Sequence, residues 1–552
     1  MILIRAILAL LLLGYCGTAL AGDYTLVVAR SPVTVDGNGH TALTINGQLP
    51  GPTLRFTEGE DVTLHVKNTL DELTSIHWHG FILPGDMDGV PGFNGFSGIA
   101  PGKTFTYHFT VKQSGTYWYH SHAGTQEQGG LYGSIIVTPK GGDIVKSDRD
   151  YIAVLSDFTA ANPDRILTNL KADPGTYNFH KRTMVDFFRD IARDGLGNTL
   201  RDRLAWGAMR MDPTDLADVS GYTFLINGKS ADDNWTGLFK AGEKVRLRLV
   251  NASSMTYFDV RIPGLKMIVI QADGRNVMPV PVDELRIAVA ETYDVIVVPA
   301  QEKAYTIMAE SMDRSGYARG TLAPHDGMTG EIPPLRPRTL LTMADMGMEG
   351  MAGMSIAGAD MGGMPGMDMS HMDHMGHTTM SGDAKDEGPP RGWVDASTPA
   401  GLRALSYADL KSLTPQKDTR APSREIIVRL GGTMERYIWT INGKSYADAE
   451  PIQLSYGERV KLTFVNETMM AHPMHLHGMF VQLLNGQPAE RLPDKHVVNV
   501  PPGQSYSVLL TADAPGEWAF HCHLLYHMES GMMRKVVVAR LAAGVTAPKA
   551  GG

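Results

Sequence analysis

Cysteine is almost missing from this chain, with 2 in 552 residues. Cys16 lies in the N-terminal segment, so cleavage of that segment leaves Cys522 as the one thiol and excludes an intrachain disulfide. A basic excess is missing too. With 50 Lys and Arg against 59 Asp and Glu and a net charge of -9, the chain has no basic stripe to neutralise phosphates, and no nucleic-acid partner is expected. Long hydrophobic runs are scarce. The run from Ala6 to Leu13 is far shorter than the ~20 residues that cross a bilayer, so no stable membrane anchor is expected. With Arg5 before it and Ala19-Leu20-Ala21 after it, residues 1–21 instead read as a signal peptide cut before Gly22, close to Ala21. Tyr15 stands where a lipoprotein cleaved before Cys16 needs a small residue.

What is present is a globular composition, 43% hydrophobic and 20% charged, with 60 Gly and 32 Pro. The length suits three to four domains. Three copies of one pattern divide it. Ile45-Asn46-Gly47, Ile226-Asn227-Gly228 and Ile441-Asn442-Gly443 each end a short apolar segment. Each is followed by Gly-Glu-x-Val and a period-2 stretch ending at Asn68, Asn251 or Asn466, which lie 22, 24 and 24 residues beyond the first Asn. Short strands and Gly/Pro turns at this spacing predict an all-β chain of three consecutive sandwich or barrel domains. Gly102 and Gly503 each precede a second Gly by 13 residues and a His by 18, so the first and third domains are built alike. The expected bounds are 22–145, 146–335 and 399–545, with a linker over 336–398.

Histidines cluster in four places: His77-Trp78-His79, His120-Ser121-His122, His472 to His477, and His521-Cys522-His523 with His527 and Met532. On a strand alternate residues share a face, so each His-x-His pair presents two imidazoles together. His77 and His79 lie 9 and 11 residues after Asn68, and His475 and His477 lie 9 and 11 after Asn466. At those offsets from Asn251 stand Val260 and Ile262, so the middle domain offers no such ligands. His472, Cys522, His527 and Met532 form the donor set of a blue-copper centre, whereas the first domain has Thr74, Ser121, Gln126 and Leu131 there. The eight paired histidines, His77, His79, His120, His122, His475, His477, His521 and His523, come four from each of two domains, which places a metal cluster at their interface. Cys522, flanked by His521 and His523, wires the two sites. His40, His65, His108, His180, His325 and His496 read as ordinary core or surface residues.

At these motifs the chain resembles the multicopper oxidases, and within them the periplasmic copper-resistance protein A type. The resemblance implies cupredoxin-like Greek-key domains and four copper ions: a type 1 ion on His472, Cys522 and His527 with Met532 axial, a type 2 ion on His77 and His475, and a type 3 pair on His79, His120, His122, His477, His521 and His523. It also implies an acid at Asp88 that supplies protons to the cluster. The second acid of the family falls on Leu525 or Met528 here, and Glu529 is the nearest substitute. Met470 stands where a methionine helps bind cuprous substrate, while Thr468 and Glu467 occupy the place of an aspartate. Only Arg5 is found where relatives carry twin arginines, so either copper is loaded after export or the true start precedes Met1.

Between Met343 and Met380 lie 12 Met with His371, His374 and His377, a flexible low-complexity insert whose thioethers suit Cu(I). The expected function is a periplasmic oxidase for copper resistance. It couples one-electron oxidation of Cu(I), with phenols as further donors, to reduction of dioxygen to water. Other periplasmic copper-handling proteins are candidate partners. A copper-sequestering protein with incidental turnover and a general phenol-oxidising laccase are the alternatives.

Overall fold

A computed structural model describes residues 22–208, 212–338, 340–341, 398–433 and 436–540. The expected signal peptide, the Met-rich tract and most of the linker lie outside the described residues. Six sheets pair into three cupredoxin-like sandwiches. In the first, Asn38–Ile45, Gly22–Val35, Asp61–Asn68 and Thr104–Thr110 face Gly51–Thr57, Tyr132–Thr138, Gly115–His120 and His77–His79. The second and third each pack a six-stranded sheet on a five-stranded one. In the third, the five-stranded sheet carries His472–Leu476 between Gly516–Cys522 and Val497–Val500.

The sequence repeat has a structural counterpart in each sandwich. The strand ending at the repeat Asn runs parallel to the domain's first strand: Val62–Asn68 beside Gly22–Val28, Val245–Asn251 beside Arg149–Leu155, and Val460–Asn466 beside Arg424–Leu430. The Asn-Gly pairs sit in tight turns. Asn46, Asn227 and Asn442 have φ of 54°, 52° and 52°, which Asn tolerates and branched residues do not. Their Oδ1 atoms accept the backbone N–H of Val27, Val154 and Arg429, tying each turn to the first strand. Asn68, Asn251 and Asn466 are buried, and each donates its amide to carbonyls on either side of the following loop. That loop leads into the strand holding the first and third histidine motifs.

Helix is confined mostly to an insertion in the second sandwich, over Pro163–Ala172, Met184–Asp194 and Leu196–Ala208. Among the described residues no helix is long and apolar enough to cross a membrane. One apolar cluster joins the second and third sandwiches and a second fills the first. Val260 and Ile262 are buried in the former, where the other two domains place histidines.

Candidate metal centre

Strand register brings the motifs together. His77 pairs with His120 across one sheet, and His475 with His521 across another. The two sheets meet so that His77 stacks on His477 and His79 on His475, both with ring centroids 3.8 Å apart. Ligand atoms group as His77, His475, His477; as His79, His120, His523; and as His122, His477, His521, each set lying within 4.8 Å. Every paired histidine from the sequence is thus in one buried cluster between the first and third domains. His122, 9% exposed, is the one nearest to solvent.

The imidazoles are aimed from behind. His77 Nδ1 donates to the Asp88 carbonyl at 2.8 Å, His475 Nδ1 to the His496 carbonyl at 2.7 Å, and His521 Nδ1 to the Cys522 carbonyl at 2.9 Å. His477 Nδ1 meets the Asp88 carboxylate at 2.8 Å. These bonds leave Nε2 facing inward, and Nε2 of His77, His120, His475 and His523 is buried without a hydrogen-bond partner. A folded protein rarely orphans so many polar atoms at one point, and inward-facing neutral imidazoles are what copper requires. Burial, then repulsion from neighbouring imidazoles, holds His79, His120, His122, His475 and His477 well below the ordinary histidine range. They are therefore neutral and ready to coordinate at neutral pH.

The second site lies wholly in the third domain. Cys522 Sγ is 3.5 Å from His472 Nδ1 and 3.7 Å from His527 Nδ1, and the two nitrogens are 3.1 Å apart. Met532 is fully buried, and its carbonyl accepts the Cys522 N–H. Burial pushes the Cys522 thiol well above its ordinary range, so a bound metal must displace its proton. His472 Nε2 is held by Thr468 Oγ1 at 2.6 Å, and Trp439 stacks on His527 at 3.8 Å. In the first domain the counterparts Thr74, Ser121 and Gln126 hydrogen-bond one another instead, with Leu131 buried beneath.

Three residues with no motif to mark them also reach the sites. Asp218, from the second domain, accepts His527 Nε2 at 2.7 Å and the Tyr437 hydroxyl at 2.6 Å. The middle domain, which offers no paired histidines, therefore still touches the blue site. Glu127 lies 2.6 Å from His120 Nδ1, and burial raises its carboxyl well above the usual range. His496 corrects an expectation: it is not a satisfied core residue, because both ring nitrogens are buried without a partner beside His79 and His475. Of the other expected residues, Asp88 is buried against His77 and His477. Met470 is buried two residues before His472, where Thr468 Oγ1 receives its N–H. Glu529 lines a cavity of about 650 Å³ together with His122, Lys171, Tyr437, Tyr446 and Met528.

Three sandwiches with a Cys-His-His site joined through one cysteine to an eight-histidine cluster define a class: multidomain copper proteins built for electron transfer. Models of the family described as multicopper oxidase match residues 27–142, 202–327 and 419–541. Copper resistance protein A of Escherichia coli is 50% identical, over 94% of this chain and 92% of that protein. The copper resistance protein A homolog of Pseudomonas syringae pv. tomato is 50% identical with the same coverage, and multicopper oxidase MmcO of Mycobacterium tuberculosis is 30% identical over 93% of this chain and 86% of that protein. Among solved structures, Fet3p, a multicopper oxidase that functions in iron import, superposes with a TM-score of 0.67 at 18% identity, covering 94% of this chain and 90% of that one. The chain belongs to the multicopper oxidase family and is a copper-dependent oxidoreductase. Membership implies the type 1, type 2 and type 3 copper set, dioxygen as acceptor, and substrates such as Cu(I).

Proposed function

We propose that this protein is an exported, periplasmic oxidase of copper resistance that takes electrons from Cu(I), with its domains bounded at 22–145, 146–335 and 399–545. The observation that carries the copper assignment is the pair of buried, metal-ready donor sets joined through His521-Cys522-His523. His472, Cys522, His527 and Met532 would hold the type 1 ion. His77 and His475 would hold the type 2 ion, and His79, His120, His523 with His122, His477, His521 the type 3 pair. When bound, these ions supply one-electron oxidation of the donor and four-electron reduction of dioxygen. The proposed role in copper resistance draws on the 50% identity to proteins of that name.

The side chains divide the remaining work. Asp88 holds two imidazoles from opposite domains, His77 through its carbonyl and His477 through its carboxylate, so it fixes their spacing and stands where a proton is needed. Glu127 holds His120 in the same way. The cluster is walled by Trp118, Tyr117 and Phe480, all packed on its rings or on His496, and these exclude bulk water. At the blue site, Met470 and Thr468 form one wall beside His472, and Asp218 covers His527. Glu467, which the sequence put near the substrate site, is paired with Arg429.

Oxygen uptake driven by Cu(I) tests the assignment. The copper-loaded chain should consume oxygen with Cu(I) and show an intense thiolate-to-copper absorption, and Cys522→Ser should abolish both. Copper tolerance of cells carrying Cys522→Ser equal to that of the parent would instead support sequestration. Faster turnover of phenols than of Cu(I) would support a laccase.

A further inference from the structure

The eight paired histidines do not exhaust the imidazoles at the cluster. His496 is 1% exposed and immediately precedes the strand Val497–Val500 that borders His472–Leu476. Its carbonyl already orients His475, and its backbone N–H is fixed by the Asp273 carboxylate at 3.2 Å. The ring lies 4.9 Å from that of His79 and 5.4 Å from that of His475, and one nitrogen from each of the three falls within 4.8 Å of the other two. Neither His496 nitrogen has a hydrogen-bond partner. Space has been made for it: a Cβ at Gly80 would come within 2.4 Å of His496 Nε2, and Gly80 has φ +82°. A buried imidazole left wholly unsatisfied costs free energy unless something absent from the protein atoms satisfies it.

We infer that His496 is a ninth imidazole of the oxygen-reducing cluster, a direct nitrogen ligand for the copper held by His475. The set with His496 shares His79 with the set of His120 and His523, and shares His475 with the set of His77. The ion assigned to His79 already has three imidazoles, whereas the one assigned to His77 and His475 has two and can take a third. This inference rests on the type 2 assignment to His77 and His475. Three imidazoles would bind that ion more tightly than two.

Copper content and electron paramagnetic resonance of the purified, copper-loaded full chain test it. In His496→Phe the thiolate-to-copper absorption should persist, while copper falls from four per chain to three or the non-blue cupric signal changes its hyperfine splitting. Four coppers with a non-blue signal superimposable on the parent's would overturn the inference. Because a buried substitution can prevent folding, pulsed resonance on the parent provides a second arm. Modulation from three imidazoles at the non-blue ion supports the ninth ligand, and modulation from two refutes it. Absence of the thiolate absorption in the parent would overturn the copper assignment itself, an outcome separate from either result.

Discussion

At the scale of single residues, the ligands are set by the groups behind them. Asp218 fixes His527 through Nε2, so the ring presents Nδ1 to Cys522. Asp218→Asn keeps the shape but removes the negative charge next to a metal ligand. Losses of about 10–100-fold accompany changes of this kind. Turnover with Cu(I) should fall by that order while the thiolate-to-copper absorption remains, and an unchanged kcat would show that Asp218 has no such role. Glu127 gives a parallel test at the cluster. Glu127→Ala leaves His120 Nδ1 with only the Ser121 carbonyl at 3.0 Å, whereas Glu127→Gln retains an acceptor. Reoxidation by dioxygen should slow by about 10–100-fold in the Ala variant and less in the Gln variant, with reduction of the blue site by Cu(I) unchanged in both. Neither residue was legible in the sequence. Asp218 meets its partner across 309 positions, and Glu127 sits in an unremarkable Gln-Glu-Gln stretch.

At the scale of strands and turns, the sequence was far more informative, because its period-2 pattern and its repeat are local properties. The Asn that ends the first and third repeats marked His77 and His79 as the equivalents of His475 and His477, and the same residue anchors the loop in all three domains. Asn466 donates to the carbonyls of Met470, Val500 and Pro501. Asn466→Ala orphans those acceptors and should cost about 1–3 kcal/mol in denaturant unfolding. It should also perturb the blue site, since the freed loop carries Thr468. Asn251→Ala should cost a similar amount without altering the copper spectra, because its domain holds no ligands. The same strands bury imidazoles at a price in acid stability. His521 is held down to about 4 from an ordinary 6.5, chiefly by desolvation, and the neighbouring His120, His122, His475 and His477 are held low for the same reason. The unfolded chain then binds protons that the fold refuses. Stability is complete above about 6.5 and is lost as pH falls toward 4. Raised carboxyls such as Glu127 and Asp157 act in the opposite sense but are fewer around the cluster. The melting temperature of the copper-free chain should therefore drop across that window, and a flat profile would contradict the burial of neutral imidazoles.

At the scale of the whole molecule, a cluster split between two domains works only if those domains cannot drift, and the second sandwich acts as the strut. Its Asp273 and Glu291 clasp Lys495 of the third, with Nζ at 3.0 and 2.9 Å, and all three are buried. The Tyr407 hydroxyl bonds the same Glu291. The neighbouring Gly274 packs so closely on Gly115 of the first domain that a Cβ on Gly115 would lie 2.2 Å from its carbonyl oxygen. Nothing in the sequence marks this joint, because Lys495 reads as one more charged residue in a loop. Its attraction to the two carboxylates outweighs the cost of desolvating the ammonium, which is held above its ordinary range despite full burial. Lys495→Met fills the same volume but strands two carboxylates without a counter-charge. Removing one partner of a buried ion pair costs about 3–5 kcal/mol, and denaturant unfolding of the copper-free chain should show a loss of that size. Adding Asp273→Asn and Glu291→Gln to Lys495→Met removes the stranded charges and should recover most of it. A triple variant no more stable than the single one would mean that the joint is held by packing and not by charge.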